Sequence, residues 1–255
     1  MTGTVYLVGA GPGAPDLLTL RAARLLAEAD IVFYDALVHP ETVALAERAQ
    51  KIAVGKRCGK HSTAQQFINK RLVDAARRHR VVVRLKGGDP MLFGRAQEEI
   101  AALEAAGIAC EIVPGITAAL AAAAELRTSL TQRGTARSVT FATPRVGANE
   151  PDSTWAAGLH AADAGAIYMG AGEAARIART LLAAGKSPGL PVAIVESASL
   201  PEQRTCYTTL ADLPALADAT VTGPALILIG PQFRARAAVG AEAERCREDS
   251  RTATG

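Results

Sequence analysis

The stretch Thr4-Val5-Tyr6-Leu7-Val8-Gly9-Ala10-Gly11-Pro12-Gly13-Ala14-Pro15 decides the fold class. A β-type run ends in a loop of alternating glycines, and the apolar positions after it, Leu17, Leu20, Ala22, Leu25 and Ala29, keep one face at helical spacing. Pro15 with Asp16 suits the start of that helix. A second β-type run, Ile31 to Tyr34, follows, so the unit reads as two parallel strands joined by a right-handed helical crossover. Formally the loop satisfies Gly-x-Gly-x-x-Gly/Ala with an acidic residue, Asp35, about 20 positions on, which is the dinucleotide fingerprint. Pro12 and Pro15 weaken that reading, because neither has an N–H to offer a pyrophosphate. Alone, the loop leaves a dinucleotide, another nucleoside cofactor and a plain tight turn all open.

Outward from this unit the same rhythm repeats. Lys51 to Val54, Val81 to Leu85 and Cys110 to Val113 read as further strands, and Ser62 with Gln65 reads as a capping box opening a helix towards Arg78. Alternating strands and helices predict an α/β fold with a parallel sheet. After Pro114 the pattern changes to an Ala-rich helix and then a Gly-, Thr- and Arg-containing stretch from Arg127 to Arg137, which places a domain junction there. A second α/β set follows, with strands at Ser138 to Ala142, Ala166 to Met169, Val192 to Val195, Arg204 to Tyr207 and Ala225 to Ile229, and helices near Glu173 to Ala184 and Ala211 to Leu216. The expected domains are residues 1–118 and 119–232. The Ala-, Arg- and Glu-rich segment 233–255 lacks a sustained apolar face and is expected to be a disordered tail.

Composition narrows the function classes. The 255 residues are 49% hydrophobic but only 4% aromatic, as expected of Ala-rich helices on Val- and Leu-rich strands. The longest apolar runs fall far short of the roughly 20 residues a membrane span needs, and no signal-type segment opens the chain, so a soluble cytoplasmic protein is expected. A formal net charge of +3 with no block of like charges does not suggest nucleic acid. Cys58, Cys110, Cys206 and Cys246 are far apart, which predicts free thiols and no metal site.

Two further loops carry the argument past the first. Lys86-Gly87-Gly88-Asp89-Pro90-Met91-Leu92-Phe93-Gly94 follows the strand at Val81, and Pro114-Gly115-Ile116-Thr117-Ala118-Ala119 follows the strand at Cys110. Open α/β sheets bind ligands outside the carboxyl ends of their strands, so three such loops can surround one cofactor. Asp89 also suits a helix cap after Pro90, and Gly87 and Gly88 suit a turn that needs positive φ.

The set Gly9-Ala-Gly-Pro-Gly13, Tyr34-Asp35, Val54-Gly-Lys-Arg57, Arg84-Leu-Lys-Gly-Gly-Asp-Pro90 and Val113-Pro-Gly-Ile-Thr-Ala118 resembles the tetrapyrrole methylases. Gly59-Lys-His61, Gln65 and Ile68-Asn69 resemble their uroporphyrinogen-III C-methyltransferase branch in particular, and matches run over about residues 3–231. The resemblance implies a two-domain homodimer with S-adenosyl-L-methionine in the cleft between domains. It also implies two successive methyl transfers to ring carbons of a tetrapyrrole, uroporphyrinogen III, giving precorrin-2 and S-adenosyl-L-homocysteine. Carried over motif by motif, Pro12, Gly87, Gly88, Asp89, Leu92, Thr117, Ala118, Met169, Ala198 and Ala225 would line the cofactor. Asp35 and Lys56 match the family's proton acceptor and proton donor. Judged alone, Asp35 is as readily a turn residue, and Lys56 equally suits pairing with one of the substrate's carboxylates. Arg57, His61, Gln132 and Arg133 are candidates for the substrate, with Lys60, Arg84, Lys86, Arg95 and Arg145 as further cations for the polyanion.

The chain departs from the family at two places. Ser129-Leu130-Thr131-Gln132-Arg133 stands where Pro-Leu-Thr-His-Arg is usual, and Ala142-Thr143-Pro144-Arg145 where Thr-Gly-His is usual. Both bear on the acceptor more than on the cofactor. These departures leave another precorrin or related acceptor and a non-catalytic tetrapyrrole-binding protein as alternatives, and the first loop with Asp35 leaves an NAD-dependent oxidoreductase.

Overall fold

Ten strands and eight helices are found among the described residues of the computed structural model, which are 2–54, 61–147 and 153–234, the side chains of 61–64 and 218–220 excepted. They divide into two units, residues 1–118 and 119 onward.

The first unit is a parallel five-stranded sheet of β1 (Thr4–Gly9), β2 (Ile31–Tyr34), β3 (Gln50–Ala53), β4 (Val81–Lys86) and β5 (Ala109–Val113), in the order β3-β2-β4-β1-β5. This order puts the strands that end in glycine loops, β4, β1 and β5, side by side. Strand period sorts the core. Val5 and Leu7 of β1 pack with Ile68 and Leu72 of α3 (His61–Ala76) and Leu103 of α4 (Ala96–Ala105) on one face. Tyr6 and Val8 pack with Ala22, Leu25 and Leu26 of α1 (Leu20–Glu28) and Val43 of α2 (Pro40–Ala44) on the other. Burial on both faces is what a parallel sheet requires.

Two helix starts differ from the sequence expectation. Pro15–Leu17 form only a 3-10 turn, and α1 begins at Leu20, capped by the Thr19 hydroxyl, which accepts from the Ala22 N–H at 3.1 Å. Thr19 is the better cap because its side-chain oxygen satisfies one of the first turn's orphan N–H groups. Helix α3 already includes Ser62, whose side chain lies outside the described residues, and the Gln65 Nε2 donates in the interior to Glu99.

The second unit is a mixed sheet in the order β6-β7-β10-β8-β9, formed by β6 (Val139–Ala142), β7 (Ala164–Ile167), β8 (Pro191–Glu196), β9 (Arg204–Thr209) and β10 (Ala225–Ile229). Only β6 and β7 run parallel. Helix α5 (Ala118–Glu125) covers one face through Ala119, Ala122 and the following Leu126. Helices α6 (Trp155–Ala161), α7 (Ala174–Ala183) and α8 (Leu213–Thr220) flank the other, where Leu159, Ile177, Leu181 and Leu213 pack on Ile167, Ile194 and Ile227. Phe233 is fully buried in the α5-side core, so the folded chain runs past Gln232. The remainder of the expected tail, 235–255, lies outside the described residues, as do Cys58 and Cys246. Among the described residues, no helix is long and apolar enough to cross a membrane.

Candidate active site

At the carboxyl edge of the first sheet, three loops lock together through their backbones. Gly11 and Gly88 exchange hydrogen bonds, Gly88 N–H to Gly11 O at 2.7 Å and Gly11 N–H to Gly88 O at 3.2 Å. Both have positive φ, +74° and +66°, which glycine alone adopts without steric cost. A Cβ on Gly9 would come within 2.6 Å of the Gly115 Cα and 2.7 Å of the Gly88 oxygen, and one on Gly115 would collide with that same oxygen. The loops after β1, β4 and β5 therefore touch with no side chain between them.

Asp89 completes the lock. Its Oδ2 accepts from the Gly115 N–H at 2.9 Å, and its Oδ1 accepts from the Met91 N–H at 2.8 Å. The carboxylate thus braces the third loop against the second and closes a turn. It does not cap a helix, because α4 starts only at Ala96. Gly87, Leu92, Thr117 and Ala118 are half-buried around it, and half-buried Pro12 follows Gly11 in the first loop.

This lock argues against a pyrophosphate cradle. The Ala10 N–H donates to Lys86 O at 2.7 Å and the Gly11 N–H to Gly88 O, while Pro12 and Pro15 have no N–H. Helix α1, whose N-terminus would have to face the phosphates, begins beyond the loop at Leu20. The strand order also differs from the 3-2-1-4-5-6 of the dinucleotide fold.

Beside the loops lies Asp35, one residue past β2, with its N–H bonded to Leu85 O at 3.3 Å. Its Oδ1 accepts from Arg84 Nη2 at 2.6 Å. Arg84 is 2% exposed and turns its Nε to Glu99 Oε1 at 2.9 Å. Lys86 Nζ donates to Glu99 Oε2 at 3.0 Å, and Gln65 Nε2 donates to Glu99 Oε1 at 3.2 Å and to Asn69 Oδ1 at 3.0 Å. Glu99, on α4, is fully buried. Burial works against the Arg84 charge, but Asp35 and Glu99 outweigh it and hold the guanidinium more firmly protonated than usual. Burial and the like charge of Arg84 push Lys86 below the usual lysine range, and Glu99 and Asp35 offset this only in part. Arg84 and Lys86 are therefore interior ion-pair partners and not surface cations for a polyanion. Sequence reasoning missed Glu99, although a signal existed: Arg84 and Lys86 stand at i, i+2 in an otherwise buried Val/Leu strand, so both need an anion on one face.

The second unit gathers Met169, Ala198 and Ala225 at one edge of its sheet. Met169 follows β7, Ala198 follows β8, and Ala225 opens the antiparallel β10 opposite Glu196. Met169, Ser197 and Ser199 all have positive φ, at 54°, 51° and 70°. Non-glycine residues held there mark a backbone whose surroundings over-determine it, a condition that clusters at ligand sites. Gln132 and Arg133 lie elsewhere, exposed in a tight turn closed by Gln132 N–H to Ala136 O and Ala136 N–H to Gln132 O, both at 2.8 Å, ahead of the amino end of β6. Pro144 is buried, and its carbonyl accepts from Arg176 Nη1 at 3.0 Å, whereas Arg145 is exposed. Exposed Arg95 pairs with Glu98 at 2.6 Å. Lys56, Arg57 and Lys60 lie outside the described residues, and His61 is the first residue of α3. No cluster of metal-ligating side chains is found among the described residues.

A five-stranded parallel sheet whose β1, β4 and β5 loops interlock without side chains, joined to a second mixed sheet, defines an α/β ligand-binding protein of a class apart from the dinucleotide oxidoreductases. The family model for tetrapyrrole (corrin/porphyrin) methylases matches residues 4–214. The chain belongs to that family.

Relatives agree at closer range. The chain is 48% identical over 230 residues to a siroheme synthase of Psychrobacter sp. (strain PRwf-1), a match covering 89% of this chain and 47% of the relative. It spans about half the length of the siroheme synthases it matches. Among solved structures it is similar to the native form of the Thermus thermophilus uroporphyrin III C-methyl transferase, at 38% identity and a TM-score of 0.80, covering 91% of this chain and 94% of that one. It is equally similar to that transferase complexed with S-adenyl homocysteine, at 39% identity and a TM-score of 0.79, covering 91% and 100%.

Proposed function

We propose that this chain is an S-adenosyl-L-methionine-dependent C-methyltransferase that converts uroporphyrinogen III into precorrin-2 by two successive methyl transfers, releasing S-adenosyl-L-homocysteine. The observation that carries this reading is the side-chain-free lock of Gly9, Gly11, Gly88 and Gly115 at the carboxyl edge of β1, β4 and β5. Such a surface offers backbone and apolar walls with few donors for phosphate, which fits a zwitterionic, nucleoside-bearing cofactor. Pro12, Gly87, Gly88, Leu92, Thr117 and Ala118 would hold it, with Asp89 fixing the loops, and Met169, Ala198 and Ala225 are assigned to it from the second unit.

The bound cofactor supplies an electrophilic methyl group on a sulfonium. The protein's part is to align that methyl with a ring carbon and exclude water. Methylating an electron-rich pyrrole carbon leaves a cation, and that cation must then lose a proton from elsewhere in the tetrapyrrole. Asp35 Oδ1 is held by Arg84, and Oδ2 has no partner among the described residues, so Oδ2 is the atom that takes the proton. Lys56, as proton donor or as a cation for a substrate carboxylate, and Arg57, His61, Gln132 and Arg133 as substrate contacts, complete the assignment.

The test is an anaerobic assay with enzymatically generated uroporphyrinogen III and methyl-labelled S-adenosylmethionine, with the methyl groups counted by mass spectrometry. Two added methyls are expected. None, with the cofactor bound, would overturn the choice of acceptor. We also read the protein as a cytoplasmic homodimer. Leu120 and Phe141, 54% and 39% exposed, line an apolar groove on the second unit that a second copy would cover. Sedimentation at monomer mass would overturn the dimer.

A further inference from the structure

We infer that Glu99 and Arg84 are positioning residues for Asp35: the buried carboxylate of Glu99 aims the Arg84 guanidinium, which in turn holds Asp35 so that one oxygen stays free for the substrate's proton. This rests on the reading of Asp35 as the base. The geometry carries the rest. A guanidinium is a rigid planar fork, so fixing Arg84 Nε on Glu99 at 2.9 Å fixes the direction of Nη2, which meets Asp35 Oδ1 at 2.6 Å. Nη1 is fixed as well, by the Leu85 carbonyl at 3.2 Å.

Glu99 is itself held from two elements, β4 and α3. Lys86 of β4 binds Oε2, Gln65 of α3 binds Oε1, and Asn69 ties α3 to α4 through the Glu98 carbonyl at 3.1 Å. The cluster sums to zero charge: two cations, Arg84 and Lys86, against two anions, Asp35 and Glu99. Such a cluster is a poor means of stabilising a fold, because desolvating the ions offsets most of their attraction and an apolar replacement is often as stable. Three of the four groups are buried, and only Asp35 reaches the surface, with its side chain 29% exposed. Among the four ionised groups the outlet is therefore Asp35, one residue past β2 and bonded to the Leu85 carbonyl of β4.

The test is a double-mutant cycle in the full-length protein, with kcat and KM read in the methyl-transfer assay and cofactor affinity read by calorimetry. Arg84→Lys keeps the charge but cannot span two carboxylates, and Glu99→Gln keeps the shape but not the charge. Each is expected to lower kcat on the order of 10- to 100-fold, the range a misaligned group costs, with both KM values and cofactor affinity within about twofold of the parent. In the Asp35→Asn background neither change should slow the enzyme further, because both act through Asp35. Multiplying effects in that background would overturn the inference and leave Asp35 as base. Full activity of Asp35→Asn would instead overturn the base reading itself. Should Arg84→Lys fail to fold, as loss of cofactor binding would reveal, the Glu99→Gln arm decides alone by the same criterion.

Discussion

Glu196, the last residue of β8, holds its charge against the Thr222 and Gly223 N–H groups, the Thr222 hydroxyl and Arg204 Nη2. Burial raises its carboxyl pKa, but these donors outweigh burial and the net shift is downward. A depressed carboxylate contributes stability that is fully present above its unfolded value, near 4.5, and is lost as pH falls through the lower folded value. Glu196→Gln is therefore expected to lower unfolding stability by about 1–2 kcal/mol at neutral pH, mostly through the backbone donors, since the Arg204 side chain is 54% exposed and screened. Urea titrations at pH 7 and near pH 3 check this: the gap should narrow at the acid end, and an equal gap at both would refute the assignment. Glu196 was not legible in the sequence, and neither was Glu99. Each is a carboxylate whose partners come from distant positions, Thr222 and Gly223 for one and Arg84 and Lys86 for the other. The presence of Arg84 and Lys86 in a buried strand announced that an anion was needed, but Glu98 and Glu99 look alike until the turn of α4 selects one for the interior.

The loops, as elements, act by approach of backbone to backbone, so the lightest change is the most informative. Gly115→Ala drives a methyl into the Gly88 carbonyl and the Gly9 Cα, parting the loops after β1, β4 and β5. It is expected to weaken S-adenosyl-L-homocysteine binding by about tenfold or more, since about 1.4 kcal/mol suffices for that factor. Gly172→Ala, with open space around its Cβ and no positive φ, serves as the control and should bind as the parent does. Calorimetric titration of both decides, and equal affinities would show that the lock does not shape the ligand site. Strands in both sheets were readable from the sequence: β2 at Ile31–Tyr34 and β10 at Ala225–Ile229 begin and end where β-branched and Leu-rich runs do. The start of α1 was misread, because Pro15-Asp16 carries the usual N-terminal signature and Thr19 is one more polar residue in an apolar run. Only the hydrogen bond to Ala22 singles it out. The interlock itself was beyond reach, because three Gly motifs at separate places along the chain do not reveal that β4, β1 and β5 are neighbours.

At the scale of the molecule the question is which ligand the fold accepts, and the two readings of the first loop predict opposite responses. A protein that binds ligand only when folded gains RT ln(1 + [L]/Kd), about 2.7 kcal/mol at a hundredfold excess over Kd. For a chain of this size that raises the unfolding midpoint by about 5–10 °C. S-adenosyl-L-homocysteine at that excess is expected to give this rise, because the loops after β1, β4 and β5 present a cradle of backbone. NAD at the same concentration should give none, because the Ala10 and Gly11 N–H groups already serve Lys86 and Gly88, Pro12 has no N–H, and α1 begins too late to face a pyrophosphate. A scan of thermal unfolding with each ligand separates the two without any turnover, so it holds even if the acceptor differs from uroporphyrinogen III. A rise with NAD and none with S-adenosyl-L-homocysteine would mean that the loop donors rearrange on binding, and that Asp35 serves a ribose hydroxyl in place of a substrate proton.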